Sequence, residues 1–515
     1  QCGDTGCGPI VNLLFDGLVT LDKNLKVEAW GASSWTVSDD SLTYIFQLRP
    51  NQRFSDGTPV RASDYAWSIE RSLSPCLGSF ASYYLAAIKD ARAFSSESCS
   101  ASGQPAGSIT TLLGDSIIPD DSANTLTIKL AQPAGFFLQA LTYSTSYALE
   151  KSVVTGPNLG KDDTWLDSLA HGVTGQGGSG MFSISDWSHK SHLIVKPNPY
   201  WWGISAGKKP HFTSVEFSLF SKVAAAYPTY LSDQSFAYSD VIPSDLVATA
   251  RGQPDYHATP ALNIFGLVFN WKVAPFDDVN ARRAFCESIN RDQINTSILK
   301  NTNIPTWHIV PAGMPGYNKN LHGIDNIPTS GDTNTAKADW AKYKSAHPGA
   351  NPTITLSFHL QLNEPLFMAE IIQALWNQLF GVNARIDSTP WNLIEHEMQA
   401  KTVQLYQFSW IADYPDPEDF LTLLFASDAR YNFANESVPV ADQLMKQADS
   451  LTDLSQRLPL YAKAEQMLVD QVAFCPLFQN TTSYRLRTWV KGGFIQDPQA
   501  MFPNDAWVSG YIAKH

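Results

Sequence analysis

The segment SWIADYPDPEDF, residues 409–420, joins an apolar, strand-like run to a turn that carries four carboxylates and two prolines. On the residues alone, Asp413 is read most simply as the start of a turn, because Asp-x-Pro sequences routinely form turns. Asp416, Glu418 and Asp419 are predicted to be solvated turn and helix N-terminal residues, where carboxylates are favoured. A calcium site is a weaker alternative, since the prolines limit how the carboxylate oxygens can converge.

No motif in the sequence supports catalysis. The glycines of GQGGSG, residues 175–180, have the spacing of a dinucleotide loop, but a polar loop precedes them and the strand-like MFSISDW follows. The G-x-S-x-G, P-loop and H-E-x-x-H motifs do not occur, and the 11 histidines show no metal-ligand spacing. We therefore expect a protein that is not an enzyme and that needs no cofactor or metal.

Length and composition limit the class of protein. A chain of 515 residues is long enough for two or three lobes, and its 15 Trp either enlarge cores or line a site for an organic ligand. The net charge of −13, without a long Lys or Arg run, disfavours nucleic acid. No apolar run reaches the roughly 18 residues of a membrane span. Gln1 follows no signal-like leader, so we expect a soluble, processed form.

Six cysteines occur without a C-x-x-C motif. Cys76 and Cys99 lie in loop-like sequence and are predicted to form a disulfide, which implies an oxidising, extracytoplasmic compartment. Cys2 and Cys7 are a second candidate pair. Cys286 and Cys475 lie in apolar runs and are interpreted as buried thiols. The six cysteines lie at positions 2, 7, 76, 99, 286 and 475.

Periodicity predicts a mixture of strands and helices. Alternation of apolar and polar residues predicts strands at residues 42–50, 125–133, 192–199 and 215–220. Helical spacing predicts helices within residues 62–73, 279–290, 369–380 and 460–472. The Gly- and Ser-rich residues 95–108 are expected to be a surface insertion. The fold class is therefore α/β or α+β.

Four segments together resemble a known family: residues 54–75 (FSDGTPVRASDYAWSIERSLSP), 196–203 (KPNPYWWG), 273–294 (VAPFDDVNARRAFCESINRDQI) and 412–420 (ADYPDPEDF). In this order they are similar to the extracytoplasmic solute-binding proteins of bacterial ABC importers, family 5. The C-terminal run YAKAEQMLVDQVAFCPLF, with WVKGGF and YIAKH, resembles the oligopeptide-binding branch. The resemblance covers nearly the whole chain.

The resemblance implies an α/β fold of the periplasmic-binding-protein type, class II, with two lobes that close about a hinge and an additional third domain. It implies domain I at residues 1–15, 166–262 and 481–515, domain II at 16–165, and domain III at 263–480. Relatives have a further strand before this start, so we expect the sequence to be trimmed there. A lipid anchor outside this sequence is expected as well.

The resemblance also implies how a ligand is held. In peptide-binding members the ligand lies extended and pairs its main chain with protein strands, here Ser409, Trp410 and Ile411. The ammonium group of a free peptide needs a carboxylate, because a buried unpaired charge costs several kcal/mol. Asp413 matches the family residue that supplies it, so the resemblance favours this role over a simple turn.

Further residues are expected in the ligand site by the same resemblance. Side-chain pockets are expected to be formed by the aromatic residues Trp391, Trp410, Phe478 and Phe80. Asp240 is also expected to contact the ligand. The N-terminal residues Gly3, Asp4 and Thr5 are expected to offer the opposite main-chain partner, braced by Cys2 and Cys7.

The sequence departs from the family where relatives bind the ligand carboxylate. Relatives place Arg, Lys or His at positions that correspond to Leu299, Pro365, Met398 and Gln407, none of which is basic here. Lys300 and His396 lie nearby and are the available substitutes. This departure favours a longer peptide, or one with a blocked C-terminus.

The expected partners are an oligopeptide ligand and the permease subunits of an ABC transporter. We expect a monomer in the periplasm or at the cell surface, with no nucleic-acid partner. Relatives of this fold also bind oligosaccharides or chelated nickel, and a ligand-sensing receptor module is a further alternative. Asp413 argues against a neutral sugar, because an enclosed charge would meet no cation.

Overall fold

A computed structural model describes residues 8–79, 81–154, 177–220, 223–240, 242–358, 363–388, 396–398, 400–429, 431–499 and 501–514. The chain divides into two compact units. Unit 1 contains residues 1–241, 486–497 and 501–515, and unit 2 contains residues 242–485 and 498–500. The finer, three-domain boundaries expected from the resemblance stay a prediction.

Strands and helices alternate along both units. The strands are β1 (Val19–Leu21), β2 (Val27–Ala29), β3 (Ala32–Val37), β4 (Thr43–Leu48), β5 (Ser98–Cys99), β6 (Pro105–Ala106), β7 (Ile117–Asp120), β8 (Thr125–Lys129), β9 (Phe182–Ser188), β10 (His192–Pro197), β11 (Val215–Ser218), β12 (Tyr238–Ser239), β13 (Tyr256–Pro260), β14 (Asn263–Phe269), β15 (Asn303–Pro305), β16 (Thr353–Phe358), β17 (Asn383–Ser388), β18 (Leu405–Ile411), β19 (Cys475–Leu486), β20 (Val490–Lys491) and β21 (Tyr511–Ile512).

The α-helices are α1 (Gly8–Leu14), α2 (Ala62–Leu73), α3 (Ala91–Ser95), α4 (Phe137–Ala140), α5 (Lys151–Val154), α6 (Trp202–Ser205), α7 (Ala226–Ser232), α8 (Ser244–Arg251), α9 (Val279–Glu287), α10 (Arg291–Ser297), α11 (Thr333–Ala346), α12 (Asn363–Phe380), α13 (Thr422–Phe425), α14 (Pro439–Asp449), α15 (Leu454–Asp470) and α16 (Asn504–Ser509). Within the described part of the chain, no helix has the length and apolar composition needed to cross a membrane.

The elements predicted from periodicity are confirmed. The four predicted strands correspond to β4, β8, β10 and β11, and the four predicted helices overlap α2, α9, α12 and α15. Helix α2 begins where its sequence predicts, because the Asp64 side chain accepts a hydrogen bond from the backbone nitrogen of Arg61 at 2.8 Å. Local signals were sufficient for these elements.

Unit 1 is built on an antiparallel sheet with strand order β3-β4-β8-β7. Strand β4 alternates between buried and outward residues, so Tyr44, Phe46 and Leu48 point into the core. Helix α2 packs its apolar side, including Tyr65 and Ile69, against the same core. Strands β9, β10 and β11 form a second antiparallel sheet in this unit.

A buried carboxylate explains the tryptophans of the KPNPYWWG motif. Asp16 is 1% exposed and accepts hydrogen bonds from the indole nitrogens of Trp30 at 2.7 Å, Trp201 at 3.1 Å and Trp202 at 2.9 Å. Burial raises the pKa of Asp16 to about 7, although the three indole donors oppose this shift. These rings therefore stabilise unit 1 rather than line a site.

Unit 2 contains a mixed sheet in which neighbouring strands follow the order β19-β14-β18-β16-β17. Strands β14 and β18 are antiparallel, whereas β16 is parallel to both β17 and β18. Gly266 lies in β14, where an added Cβ atom would be 2.3 Å from the carbonyl oxygen of Cys475. Glycine is therefore required for the close approach of β14 and β19.

The disulfide predictions have three outcomes. The Cys76–Cys99 bond is confirmed, with a Cα–Cα distance of 5.0 Å. The interpretation of Cys286 and Cys475 as thiols is wrong, because they form a disulfide across a Cα–Cα distance of 5.7 Å. They are 189 residues apart in the chain, and only the packing of α9 against β19 brings them together. The candidate pair at positions 2 and 7 lies outside the described residues.

Candidate functional site

Near its C-terminal end, β18 has one edge without a strand partner among the described residues. It pairs with β14 along its whole length, with Asn263 opposite Ile411, but it pairs with β16 only at Leu405 and Tyr406. The strand residues become less buried from Leu405 towards Ile411, which is 41% exposed. Within the described part of the chain, the edge opposite β14 therefore has no strand partner beyond Tyr406.

The polar backbone groups on this edge belong to Ser409 and Ile411. The backbone nitrogen of Ala412 donates to the carbonyl oxygen of Leu262 at 2.8 Å, which identifies a hydrogen-bonded pair of the β14–β18 ladder. Hydrogen-bonded and non-hydrogen-bonded pairs alternate in antiparallel strands, so Trp410 also faces β14. Ser409 and Ile411 consequently direct their N–H and C=O groups to the opposite edge, where another extended chain could pair.

Asp413 lies two residues beyond the end of β18, and its side chain is half-buried. The backbone nitrogen of Asp413 donates to Asp419 Oδ2 at 3.1 Å, and the indole nitrogen of Trp410 donates to the same oxygen at 3.2 Å. The Trp410 ring also lies 5.5 Å from the Tyr431 ring, between centroids. Asp419 therefore fixes both the strand-end ring and the backbone that carries Asp413.

The prediction of solvated carboxylates in the turn is wrong. Asp416, Glu418 and Asp419 are 2%, 8% and 0% exposed. Asp416 does cap the following 3₁₀ turn, accepting from the backbone nitrogen of Glu418 at 3.0 Å. It is buried because Arg457, on α15, binds both of its oxygens at 2.5 and 2.6 Å. A cationic partner of this kind compensates an ionised buried carboxylate.

Arg457 extends this network to two further elements. Its guanidinium also donates to the Tyr461 hydroxyl at 3.0 Å, and that hydroxyl donates to Asp449 Oδ1 at 2.5 Å. Asp449 ends α14, so the turn is connected to both α14 and α15. The Tyr414 hydroxyl donates to Glu418 inside the same network. The turn that carries Asp413 is therefore held by buried polar contacts on several sides.

Three carboxylates in this network, Glu418, Asp449 and Asp419, have raised pKa values. Burial, and then the charge of Asp449, raise the pKa of Glu418 to about 8. Burial raises the pKa of Asp449 to about 6. Burial, and then the charge of Asp413, raise the pKa of Asp419 well above its usual value. At neutral pH the turn is therefore less negative than its four carboxylates suggest.

The remaining predicted ligand residues are distributed as follows. Phe478 is fully buried in β19, where its ring packs 6.4 Å from Phe265, between centroids. Asp240 is exposed in unit 1. Phe80, Trp391, Gly3, Asp4 and Thr5 lie outside the described residues. The roles of all these residues stay predictions.

The positions that correspond to the carboxylate clamp of relatives offer no cation. Leu299, Met398 and Gln407 are 6%, 2% and 9% exposed. The ammonium group of Lys300 donates to the carbonyl oxygen of Ser297 at 2.6 Å. His396 is exposed.

The residues that sequence reasoning missed are Arg457, Tyr461 and Asp449, together with the anchoring role of Asp419. One signal was available: the four carboxylates lie between the apolar runs WIA and FLTLLF, which leaves little room for solvated side chains. The sequence does not indicate which cation compensates them, because Arg457 is 41 residues from Asp416.

Comparison with known proteins identifies the class. The family model of the bacterial extracellular solute-binding proteins, family 5 Middle, matches residues 26–432. The chain belongs to this family, and the predicted membership is confirmed. The crystal structure of the murein tripeptide binding protein MppA of Escherichia coli is similar with a TM-score of 0.79, at 23% identity, covering 100% of this chain and 96% of that chain. The predicted two-lobed α/β fold is thereby confirmed.

Two curated relatives cover nearly the same length. The oligopeptide-binding protein OppA of Bacillus subtilis is 23% identical over 495 residues, which are 95% of this chain and 85% of that protein. The "Probable deoxycholate-binding periplasmic protein YgiS" of Escherichia coli is 26% identical over 503 residues, which are 95% of this chain and 87% of that protein.

Proposed function

We propose that this protein is an extracytoplasmic receptor that binds an extended peptide along the free edge of β18 and delivers it to the permease of an ABC transporter. The observation that carries the proposal is a strand edge at Ser409 and Ile411 that has no strand partner among the described residues and is followed by a half-buried carboxylate, Asp413. The protein performs no chemistry on its ligand. The names of two similar proteins, an oligopeptide-binding and a murein tripeptide-binding protein, support this proposal.

Main-chain pairing explains how one site accepts many sequences. The N–H and C=O groups of Ser409 and Ile411 form hydrogen bonds with the peptide backbone, which all peptides share. The ring of Trp410, fixed by Asp419, forms one wall for a ligand side chain. Affinity then comes from the backbone, and the pockets set preferences.

The ammonium group fixes the register of the ligand. Asp413 follows the free edge directly, so it accepts the α-amine of a peptide whose first residues pair with Ser409 and Ile411. An ammonium group enclosed without a carboxylate costs several kcal/mol, so a free N-terminus is strongly favoured. At the other end the clamp positions hold no cation, which favours longer peptides or a blocked C-terminus.

The broader arrangement is proposed on the resemblance. It comprises three domains with the predicted boundaries, a hinge, and an N-terminal segment, Gly3 to Thr5, on the other side of the ligand. By the same resemblance, the protein is a monomer outside the cytoplasm and is held at the membrane by a lipid anchor.

The free edge is tested by removing one backbone donor. Ile411→Pro deletes the N–H that faces the ligand, and proline is tolerated at a strand edge whose N–H faces outward. Ile411→Ala is the matched control, because it removes the side chain but keeps the N–H. Isothermal titration with pentaalanine amide should give an affinity about 2- to 12-fold lower for the proline variant than for the alanine variant, the worth of one hydrogen bond. Equal affinities would contradict pairing at this edge.

A non-peptide ligand is the second candidate, and the relative named as a deoxycholate-binding protein favours it. Deoxycholate is an anion, however, and would meet the carboxylate of Asp413. Native mass spectrometry of the purified protein separates the candidates. A ladder of peptide masses supports the proposal, whereas a single sterol-like mass supports the alternative.

A further inference from the structure

Asp419 has an unusual environment for a carboxylate. Its Oδ2 atom accepts two hydrogen bonds, from the backbone nitrogen of Asp413 and from the indole of Trp410. Its Oδ1 atom is buried and, among the described residues, has no hydrogen-bond partner. The side chain is 0% exposed. A fully ionised carboxylate would leave charge on an unsolvated oxygen, which is costly in a protein interior.

Among the described residues, the charged groups that act most strongly on Asp419 are both negative. Among the described residues, those that raise its pKa are Asp413, from the end of β18, and Glu418, from the same 3₁₀ turn. Arg457, on α15, is engaged by both oxygens of Asp416. Asp449, at the end of α14, and Tyr414, at the start of the turn, are both hydrogen-bonded elsewhere in the network.

Resting on the proposed function, we propose that Asp419 is a positioning residue that carries a proton in the empty site and releases it when the ammonium group of a peptide binds Asp413. The proton leaves the Oδ1 atom and passes to solvent, and no bond of the ligand changes. Peptide capture is thereby coupled to proton release. Nothing in the sequence pattern of the turn separates Asp419 from its acidic neighbours, so this role rests on the geometry.

The coupling follows from charge. Asp413 disfavours a second negative charge on Asp419, and a bound ammonium group cancels that effect. Ionised Asp419 then holds Trp410 and the Asp413 backbone by charge-assisted hydrogen bonds, which are stronger than those of the neutral acid. The ligand therefore tightens the strand end against which it lies.

The sign of the pH dependence follows by linkage. A binding step that releases a proton becomes more favourable as pH rises, by up to about tenfold in affinity per pH unit for one full proton. The dependence disappears above the pH at which Asp419 is already ionised in the empty site. It should be absent if Asp419 cannot titrate.

Calorimetry in two buffers tests the coupling. Pentaalanine amide is titrated at pH 7 in phosphate and in Tris, whose ionisation enthalpies differ widely, so that the difference in binding enthalpy counts the protons released. Wild type should release a substantial fraction of one proton, and Asp419→Asn should release none while retaining an acceptor for both hydrogen bonds. Glu418→Gln is the matched control, since it removes a neighbouring buried carboxyl and should still release the proton.

Three results would overturn the inference. The first is a binding enthalpy of wild type that does not depend on the buffer. The second is proton release that persists in Asp419→Asn, and the third is proton release that disappears in Glu418→Gln instead. If Asp419→Asn does not fold, wild type and Glu418→Gln decide the question: proton release by both supports the inference, and release by neither, or by wild type alone, overturns it. Infrared difference spectra of ligand-free wild type and Asp419→Asn test the protonated carboxyl without ligand. Failure of pentaalanine amide to bind contradicts the proposed function, whereas an ionised Asp419 in the empty protein contradicts only this inference.

Discussion

Removing the Arg457 guanidinium should destabilise the turn that carries the site. The side chain is 0% exposed and binds both oxygens of Asp416, which is 2% exposed. Arg457→Met keeps the length of the side chain but leaves a buried carboxylate without a cation, which costs about 3–5 kcal/mol. A domain is stable by only about 5–15 kcal/mol, so the loss is a large fraction of the total. Glu418 and Asp449 lose the same compensating charge.

Urea unfolding followed by circular dichroism measures this effect. With a typical dependence on urea, the midpoint should fall by about 1–2 M. Lys89→Met is the matched control: its pair with Asp115, at 2.7 Å, is exposed, and its removal should leave the midpoint nearly unchanged. Adding Asp416→Asn to Arg457→Met should recover part of the loss, because the two positions are coupled. Equal midpoints for Arg457→Met and Lys89→Met would refute this reasoning.

The remaining predictions concern stability. Replacing Cys286 and Cys475 by Ala should lower the unfolding free energy by about 5 kcal/mol, against about 3 kcal/mol for Cys76 and Cys99, because the bonds close loops of 189 and 23 residues. Urea unfolding without reductant measures both, and a larger loss for the shorter loop contradicts the argument. Burial raises the pKa of Glu436 to about 9, so wild type should lose stability as pH rises from 5 towards 9. Glu436→Gln should lose less over that range, and parallel pH profiles would show that Glu436 does not titrate there.

Local signals explain what the sequence predicted correctly. Helix α2 was predicted from helical spacing, strand β4 was predicted from the alternation of apolar and polar residues, and both are observed. The run before Asp413 was predicted to be a strand because it is apolar, and it lies in β18. Each of these patterns depends on residues fewer than about ten positions apart.

The incorrect predictions depend on distant residues. The turn carboxylates are buried because Arg457 reaches Asp416 from α15, and the second disulfide exists because α9 and β19 pack together. Neither contact leaves a periodic or spacing signal. Buried polar networks are specified by tertiary packing, so a single sequence indicates only that some cation must compensate the acids.

The amine site at Asp413 is tested most directly by four calorimetric titrations. Wild type and Asp413→Asn are each titrated with pentaalanine amide and with its N-acetylated form. Asp413→Asn leaves the enclosed ammonium group without its carboxylate, and acetylation removes the ammonium group. Each change alone should weaken binding by about 3–5 kcal/mol. The two losses should not add, since both abolish one interaction. Fully additive losses, or unchanged affinity in Asp413→Asn, would contradict the proposal that Asp413 holds the ligand amine.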